Sequence, residues 1–333
     1  MAKTALITGI GGQDGFYLAE LLIAQGYNVI GTSHRSGANS IALGGSEVPV
    51  RHLDLAHGDG IKALLEDTQP HEIYNFASRS SSAQLFDDPI ATAEVNGLAV
   101  AWFLEAIRHI LPKTRFCQAS SSELFARSRQ SPQDEDTQML PRNAYGAAKL
   151  FAHNMIGAYR DEFGVFACSA ILFNHESPRR GMEYVSRKIT SSVARIAAGI
   201  DHSLKLGSLD SRRDWGFAGD YTRATWLMLQ QHAPEDYVIA TGVTHSVRDL
   251  CETAFSRAGL DYRDYVVVED DSARRAETIE LRGNPAKAMA RLGWRPIISF
   301  DELVAMMVDA DRAVLEKGDG SQSIKKGKNV QQD

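Results

Sequence analysis

Two side chains, Tyr145 and Lys149, stand four residues apart in Asn143-Ala144-Tyr145-Gly146-Ala147-Ala148-Lys149. On a helix that spacing puts both on one face, about one turn apart. A free tyrosine titrates near pH ~10, too high for a base at neutral pH. A neighbouring ammonium and a cationic nicotinamide ring both favour the phenolate, so the pair reads as a proton-transfer device. Lys149 is then also a donor to the nicotinamide ribose. Just upstream lies Gln118-Ala119-Ser120-Ser121-Ser122-Glu123. A hydroxyl here can hydrogen-bond a reacting sugar oxygen. Glu123 adds a carboxylate that a one-carbon dehydrogenase does not need. As local signals, Ser121 and Ser122 read equally well as turn or cap residues, and Glu123 as a solvated charge.

A glycine-rich turn gives this chemistry its context. Gly9-Ile10-Gly11-Gly12-Gln13-Asp14-Gly15 follows a strand-like run, Thr4–Thr8, and opens a helix-like run. Glycines 9, 12 and 15 allow a tight exit from the strand, close approach of a pyrophosphate, and close packing of the helix. The helix N-terminus then offers unpaired N–H groups to phosphates. Gln13 and Asp14 belong to the same turn.

The second strand, Tyr27–Gly31, runs into Thr32-Ser33-His34-Arg35-Ser36, and no acidic residue occurs between Glu20 and Glu47. A carboxylate here would accept from a ribose 2′-hydroxyl, whereas a cation suits a 2′-phosphate. Arg35 therefore points to NADP, the alternative being a solvated loop charge.

Strand and helix patterns alternate along the first half. Strands are expected at Val48–Leu53, Glu72–Phe76, Thr114–Ala119 and Val165–Leu172. Helices are expected at Gly60–Asp67, Ile90–His109 and Ala144–Phe163. This predicts an α/β fold, a Rossmann-type doubly wound parallel sheet with a smaller α/β substrate-binding lobe. The sheet domain takes residues 1–173 and 214–243, and the lobe takes 174–213 and 244–316. A Gly-, Ser- and Lys-rich tail, 317–333, is expected to be disordered. Helices in the lobe are expected at about Tyr184–Gly199, Val247–Gly259 and Phe300–Leu315. Tyr237–Thr241 is a strand that can return to the main sheet.

The chain has 333 residues, 44% of them hydrophobic, and a formal charge of −6. That acidity argues against a nucleic-acid partner. No membrane span, signal peptide or metal-ligand spacing is expected. Three dispersed cysteines read as reduced thiols, which with NADP suggests the cytoplasm. Cations nonetheless crowd the lobe: Arg179, Arg180, Arg187, Lys188, Arg212, Arg213, Arg274 and Arg275. Some would serve an anion such as a diphosphate, and about half would be ordinary surface pairs.

With these motifs assembled, residues 3 to 315 resemble the extended short-chain dehydrogenase/reductase family. Within it the resemblance is to the GDP-mannose 4,6-dehydratases. It is carried by Ala5–Gly15, Thr114–Ser120 with Ser122-Glu123, Tyr145 with Lys149, and Ile171–Gly181. Arg213–Gly216 and Ala240–Val243 extend it. The resemblance implies that Tyr145 takes the 4-OH proton and Glu123 the C5 proton, with Ser121 or Ser122 near the path of the leaving hydroxyl. It implies Asp54 and Leu55 near the adenine, and Asn75 and Ala77 lining the cofactor cleft. For the GDP-sugar it implies Asn174 as a substrate contact and Lys188 as a guanine contact. Arg213 and Arg274 would meet phosphate, and Glu277 ribose. It also implies pairing between subunits through the helices at about 90–109 and 144–163, giving a homodimer or homotetramer.

The chain departs from the family pattern in places. Ser121 stands where Thr is usual and His34-Arg35 where two arginines are. Ser78-Arg79-Ser80-Ser81-Ser82 is richer in serine on the side facing the sugar. The loop after Arg35 lacks residues that help form tetramers. Ser208 and Arg275 stand where Asn and Pro are usual. A 4,6-dehydratase of another GDP-sugar, such as a GDP-manno-heptose, is therefore a second reading. A single-step 4-epimerase or 4-ketoreductase is a third, and a non-catalytic NADPH-sensing regulator a fourth.

Overall fold

The structure is a computed structural model, and it describes residues 2–35, 37, 39–80, 88–269 and 280–326. It divides into two compact units: residues 1–175, 214–244 and 279–297, and residues 176–213, 245–278 and 298–333.

The first unit is built on an eight-stranded sheet. Its strands are β1 (Thr4–Thr8), β2 (Asn28–Ser33), β3 (Ser40–Leu43), β4 (Ser46–His52), β5 (Glu72–Asn75), β6 (Arg115–Ala119), β7 (Ala167–Leu172) and β11 (Tyr237–Ile239). Their spatial order is β11-β7-β6-β5-β1-β2-β4-β3. Only β3 runs antiparallel to its neighbour. The order reverses beside β1, so the C-terminal ends of β1 and β5 flank the switch-point crevice. Successive side chains on each strand feed opposite layers, as a two-sided sheet requires. Ala5, Ile7, Tyr74 and Cys117 enter one core, with Leu18 and Leu22 of α1 (Gln13–Ala24) and Met228 of α7 (Ala218–Leu229). Leu6, Ile73 and Phe116 enter the other, with Leu65 of α2 (Gly58–Thr68), Phe103 of α4 (Ala99–Ile110) and Ile156 of α5 (Ala144–Phe163). Helix α9 (Ala286–Leu292) adds Ala288 and Leu292 to the first core.

Two expected elements differ. The strand foreseen at Val48–Leu53 is the second arm of a hairpin, β3–β4, turned by Gly44 and Gly45 at φ 55° and 76°. Positive φ at both turn positions is what two glycines supply without strain. The helix foreseen at Ile90–His109 is α3 (Pro89–Ala93), a π-turn over Glu94–Leu98, then α4. Asn96 in that turn receives hydrogen bonds from Ser78 Oγ and the Arg79 amide, and donates to the Arg79 carbonyl. The side chain thereby secures the loop after β5, a common use of a π-turn. By length and composition Pro89–Ile110 could cross a membrane. Half of it is buried instead, with Val100, Phe103, Leu104 and Ile107 fully inside the core.

The second unit groups α6 (Val185–Ala197), α8 (Val247–Arg257) and α10 (Phe300–Lys326) with a parallel pair of short strands, β9 (Leu204–Leu206) and β13 (Val266–Val268). Strands β8 (Asn174–Glu176), β10 (Arg212–Phe217) and β12 (Thr244–Ser246) fall where the chain passes from one unit to the other. Helix α10 continues to Lys326, although a disordered tail was expected from residue 317. Residues 327–333 lie outside the described residues.

Candidate active site

Lys149 is 2% exposed and Tyr145 9% exposed, so the helical pair points inward from the first turns of α5. The lysine Nζ lies 5.6 Å from the centre of the tyrosine ring. It donates to the Ala119 carbonyl at 2.7 Å, at the end of β6. Burial pushes the ammonium down to about 7. At neutral pH the lysine thus stands midway between charged and neutral, and an adjacent phenolate favours the charged form.

The Ala119 carbonyl ends a buried polar chain across three strands. Thr8 Oγ donates to Asn75 Oδ1 at 2.6 Å, Asn75 Nδ2 to Gln118 Oε1 at 2.6 Å, and Gln118 Nε2 to the Ala119 carbonyl at 2.7 Å. Thr8, Asn75 and Gln118 are all essentially inaccessible. Buried polar groups must be satisfied, and this chain satisfies them while fixing strand ends β1, β5 and β6 in mutual register. Asn75 therefore spends its amide on the sheet. The Ala77 amide donates to Thr8 Oγ, which fixes the start of the following loop.

Glu123 sits on a 3₁₀ turn, Ser122–Phe125, that follows β6. Ser121 caps this turn, its hydroxyl oxygen accepting the Glu123 amide. Ser122 is buried and Ser121 partly exposed. Asn143 caps α5 by accepting the Gly146 amide at 2.7 Å and donates to Glu123 Oε2 at 2.8 Å. The carboxylate and the Tyr145–Lys149 helix are thus tied together.

At the β1–α1 turn, Gly9 has φ 67°, and a Cβ on Gly15 would lie 2.5 Å from the Gly9 carbonyl oxygen. Asp14 Oδ2 lies 3.0 Å from His175 Nε2, while His175 Nδ1 lies 2.7 Å from the Phe173 carbonyl. Asp14 and the Phe173 carbonyl thus hold the imidazole of His175 by its two ring nitrogens. Gln13 Nε2 donates to the His175 carbonyl at 3.0 Å. Neither His175 nor Gln118 was singled out from the sequence. His175 meets Asp14 across 161 residues, a separation that leaves no local signature.

The other expected contacts are more scattered. Arg35 is exposed beyond β2, its amide bonded to Ser33 Oγ. Asp54 receives the Ala56 amide, and Leu55 is part of a core. Asn174 is half-buried on β8. In the second unit, Lys188 donates to the Lys205 carbonyl, and Arg213 to that of Arg212. Arg187 is committed to a buried pair with Asp311 at 2.7 Å, and Arg180 contacts Glu176 at 3.1 Å. Ser36, Ser81, Ser82, Arg274, Arg275 and Glu277 lie outside the described residues.

Comparison with known proteins settles the lineage. The family model for GDP-mannose 4,6 dehydratase matches residues 6–307. The chain belongs to that family. GDP-mannose 4,6 dehydratase 2 of Arabidopsis thaliana is 43% identical over 93% of this chain and 87% of its own. GDP-mannose 4,6-dehydratase of Vibrio cholerae is 40% identical over 95% of this chain and 96% of its own. Among solved structures, RMD from Pseudomonas aeruginosa complexed with NADPH superposes with a TM-score of 0.80 at 24% identity, over 94% of this chain and all of that one. That likeness supports the α/β Rossmann-type fold.

Proposed function

We propose that this family member is an NADP-dependent GDP-mannose 4,6-dehydratase, a hydro-lyase that forms GDP-4-keto-6-deoxymannose and water. One observation carries the reading: the Glu123 carboxylate is tethered to the start of the helix bearing Tyr145 and Lys149. Oxidation at C4 needs only the tyrosine and lysine. A carboxylate held beside them serves a second carbon, which a single-step 4-epimerase or 4-ketoreductase does not require.

The residues fit a dinucleotide. Helix α1 has no side-chain cap at Gly12, and its N-terminus carries the positive end of the helix dipole, which suits a pyrophosphate. A Cβ on Gly11 would meet nothing within 4 Å, which leaves the turn open. Ser120 Oγ, at the end of β6, is buried with no hydrogen-bond partner among the described residues. We assign Gly9, Gly12, Gln13, Asp14 and Gly15 to the pyrophosphate, Asp54 and Leu55 to the adenine side, and Asn75, Ala77, Tyr145 and Lys149 to the nicotinamide side. Arg35 favours NADP, since it has no ion-pair partner among the described residues to compete with a 2′-phosphate. A cofactor held by these residues would supply a hydride acceptor for C4 and a hydride donor for C6.

The chain's own residues supply the proton chemistry. Tyr145 takes the 4-OH proton, with Lys149 stabilising the phenolate. Glu123 removes the C5 proton acidified by the 4-keto group, and Ser121 and Ser122 lie near the leaving hydroxyl. Asn174, Lys188, Arg213, Arg274 and Glu277 hold the GDP-sugar in this reading. The three buried free cysteines fit a reducing, cytoplasmic setting. We further assign the exposed apolar side chains Ile90, Leu98, Trp102 and Phe151 to a homodimer face.

A GDP-manno-heptose is the second substrate to consider, because the segment Ser78-Arg79-Ser80-Ser81-Ser82 departs from the family pattern. Mass spectrometry of GDP-mannose incubated with the protein and NADP⁺ tests the proposal. Loss of one water without accumulation of reduced cofactor is expected. Water loss from the heptose alone would favour the second substrate, and net cofactor reduction would contradict both.

A further inference from the structure

An asparagine at the N-cap of a helix needs only its carbonyl oxygen, and serine, threonine or aspartate would serve as well. Asn143 uses its second arm too. Its Oδ1 accepts the Gly146 amide at 2.7 Å, and its Nδ2 donates to Glu123 Oε2 at 2.8 Å. The orientation of the amide is dictated by its partners, because the backbone N–H needs an acceptor and a carboxylate needs a donor. Asn143 is 7% exposed, so water competes weakly for either bond. The two elements also touch directly: a Cβ on Gly146 would stand 2.9 Å from the Glu123 carbonyl oxygen. Arg142 approaches the same Oε2 only to 3.9 Å. Glu123 Oε1 has no hydrogen-bond partner among the described residues.

We propose that Asn143 is a positioning residue for the elimination half-reaction, holding Glu123 by Oε2 so that Oε1 is the oxygen that takes the C5 proton. The inference rests on the dehydratase reading given above. In that step the C5–H bond breaks and its proton passes to Oε1. The electron pair forms the C5–C6 double bond as the C6–O bond breaks, and the departing hydroxyl takes the proton and leaves as water. The carboxylate is regenerated. A base held by one oxygen keeps the other at a fixed distance and angle from C5. Misplacement by about 1 Å costs on the order of 100-fold in rate. Tyr145 lies on α5 two residues beyond Asn143, so the tether also fixes where the second proton transfer occurs relative to the first.

Asn143→Asp separates capping from tethering. Aspartate caps a helix as well as asparagine, but it sets a carboxylate oxygen against Glu123 Oε2 in place of a donor. The folded variant should melt within a few degrees of the parent. Oxidation at C4, followed in a single turnover by absorbance of the reduced nicotinamide, should keep its rate. Water loss should slow about 10- to 100-fold. Reduced cofactor should then accumulate transiently, and a deuterium isotope effect from C5-labelled GDP-mannose should grow. Equal slowing of both steps, or no slowing of water loss, would overturn the assignment, since a cap alone does not distinguish one step from the other. If the unaltered protein dehydrates no GDP-sugar while binding it, the dehydratase reading fails and this inference with it.

Discussion

At the scale of single residues, Lys149 is the side chain whose burial most shapes the chemistry. Taking it out of water lowers its ammonium from 10.5 to about 7. Between those values the unfolded chain holds a proton that the folded chain has released, so stability rises with pH across that window. The penalty is full below about pH 7 and gone above about 10.5, and it is on the order of a few kcal/mol. Lys149→Met removes it. The variant should lose at least about 100-fold in activity. Without cofactor, however, it should be more stable than the parent at pH 7, and the gap should shrink towards pH 10. The Ala119 carbonyl is not orphaned by the change, since Gln118 still donates to it. Urea unfolding of both proteins at the two pH values checks this, and a gap unchanged by pH would contradict it. The pair Tyr145 and Lys149 was legible in the sequence because i, i+4 spacing is a local property of a helix. The partners that orient them were not. Gln118 reaches Asn75 across 43 residues and Asn143 reaches Glu123 across 20, distances that only the folded sheet closes.

At the scale of elements, the β1–α1 turn depends on one missing methyl group. Alanine in place of a helical glycine normally gains about 1 kcal/mol. At Gly15 the added Cβ would meet the Gly9 carbonyl oxygen at 2.5 Å and the Ile10 Cα at 2.6 Å. Both obstacles are backbone and cannot rotate aside, so overpacking of about 1–3 kcal/mol should win. Gly15→Ala is expected to be less stable in urea and to bind NADP at least about 10-fold more weakly by calorimetry. An equally stable variant with unchanged affinity would show that the turn opens freely. This turn was readable because glycine is nearly mandatory there. The π-turn at Glu94–Leu98 and the β3–β4 hairpin were not. The first answers to the loop that Asn96 holds, and the second to pairing at the sheet edge, and neither leaves a periodicity of its own.

At the scale of the whole molecule, the alternation of strands and helices was enough to specify a doubly wound sheet, because parallel strands need helical crossovers. The assembly is less directly written. Ile90 is 70% exposed and Phe151 40%, on helices α3 and α5 of the first unit. A homodimer would cover them. Ile90→Glu with Phe151→Glu should shift the protein to monomer by light scattering, whereas Val314→Glu, 66% exposed on α10, should leave its mass unchanged. Three similar masses would contradict a dimer through this face. In the proposed reaction one hydride leaves C4 and returns to C6 of the same sugar while Glu123 moves the C5 proton. GDP-mannose deuterated at C4 tests this most directly. The product should be one water lighter and retain the deuterium at C6, and Glu123→Gln should form no such product. Deuterium left on released cofactor, or a product that has kept its C6 oxygen, would contradict it.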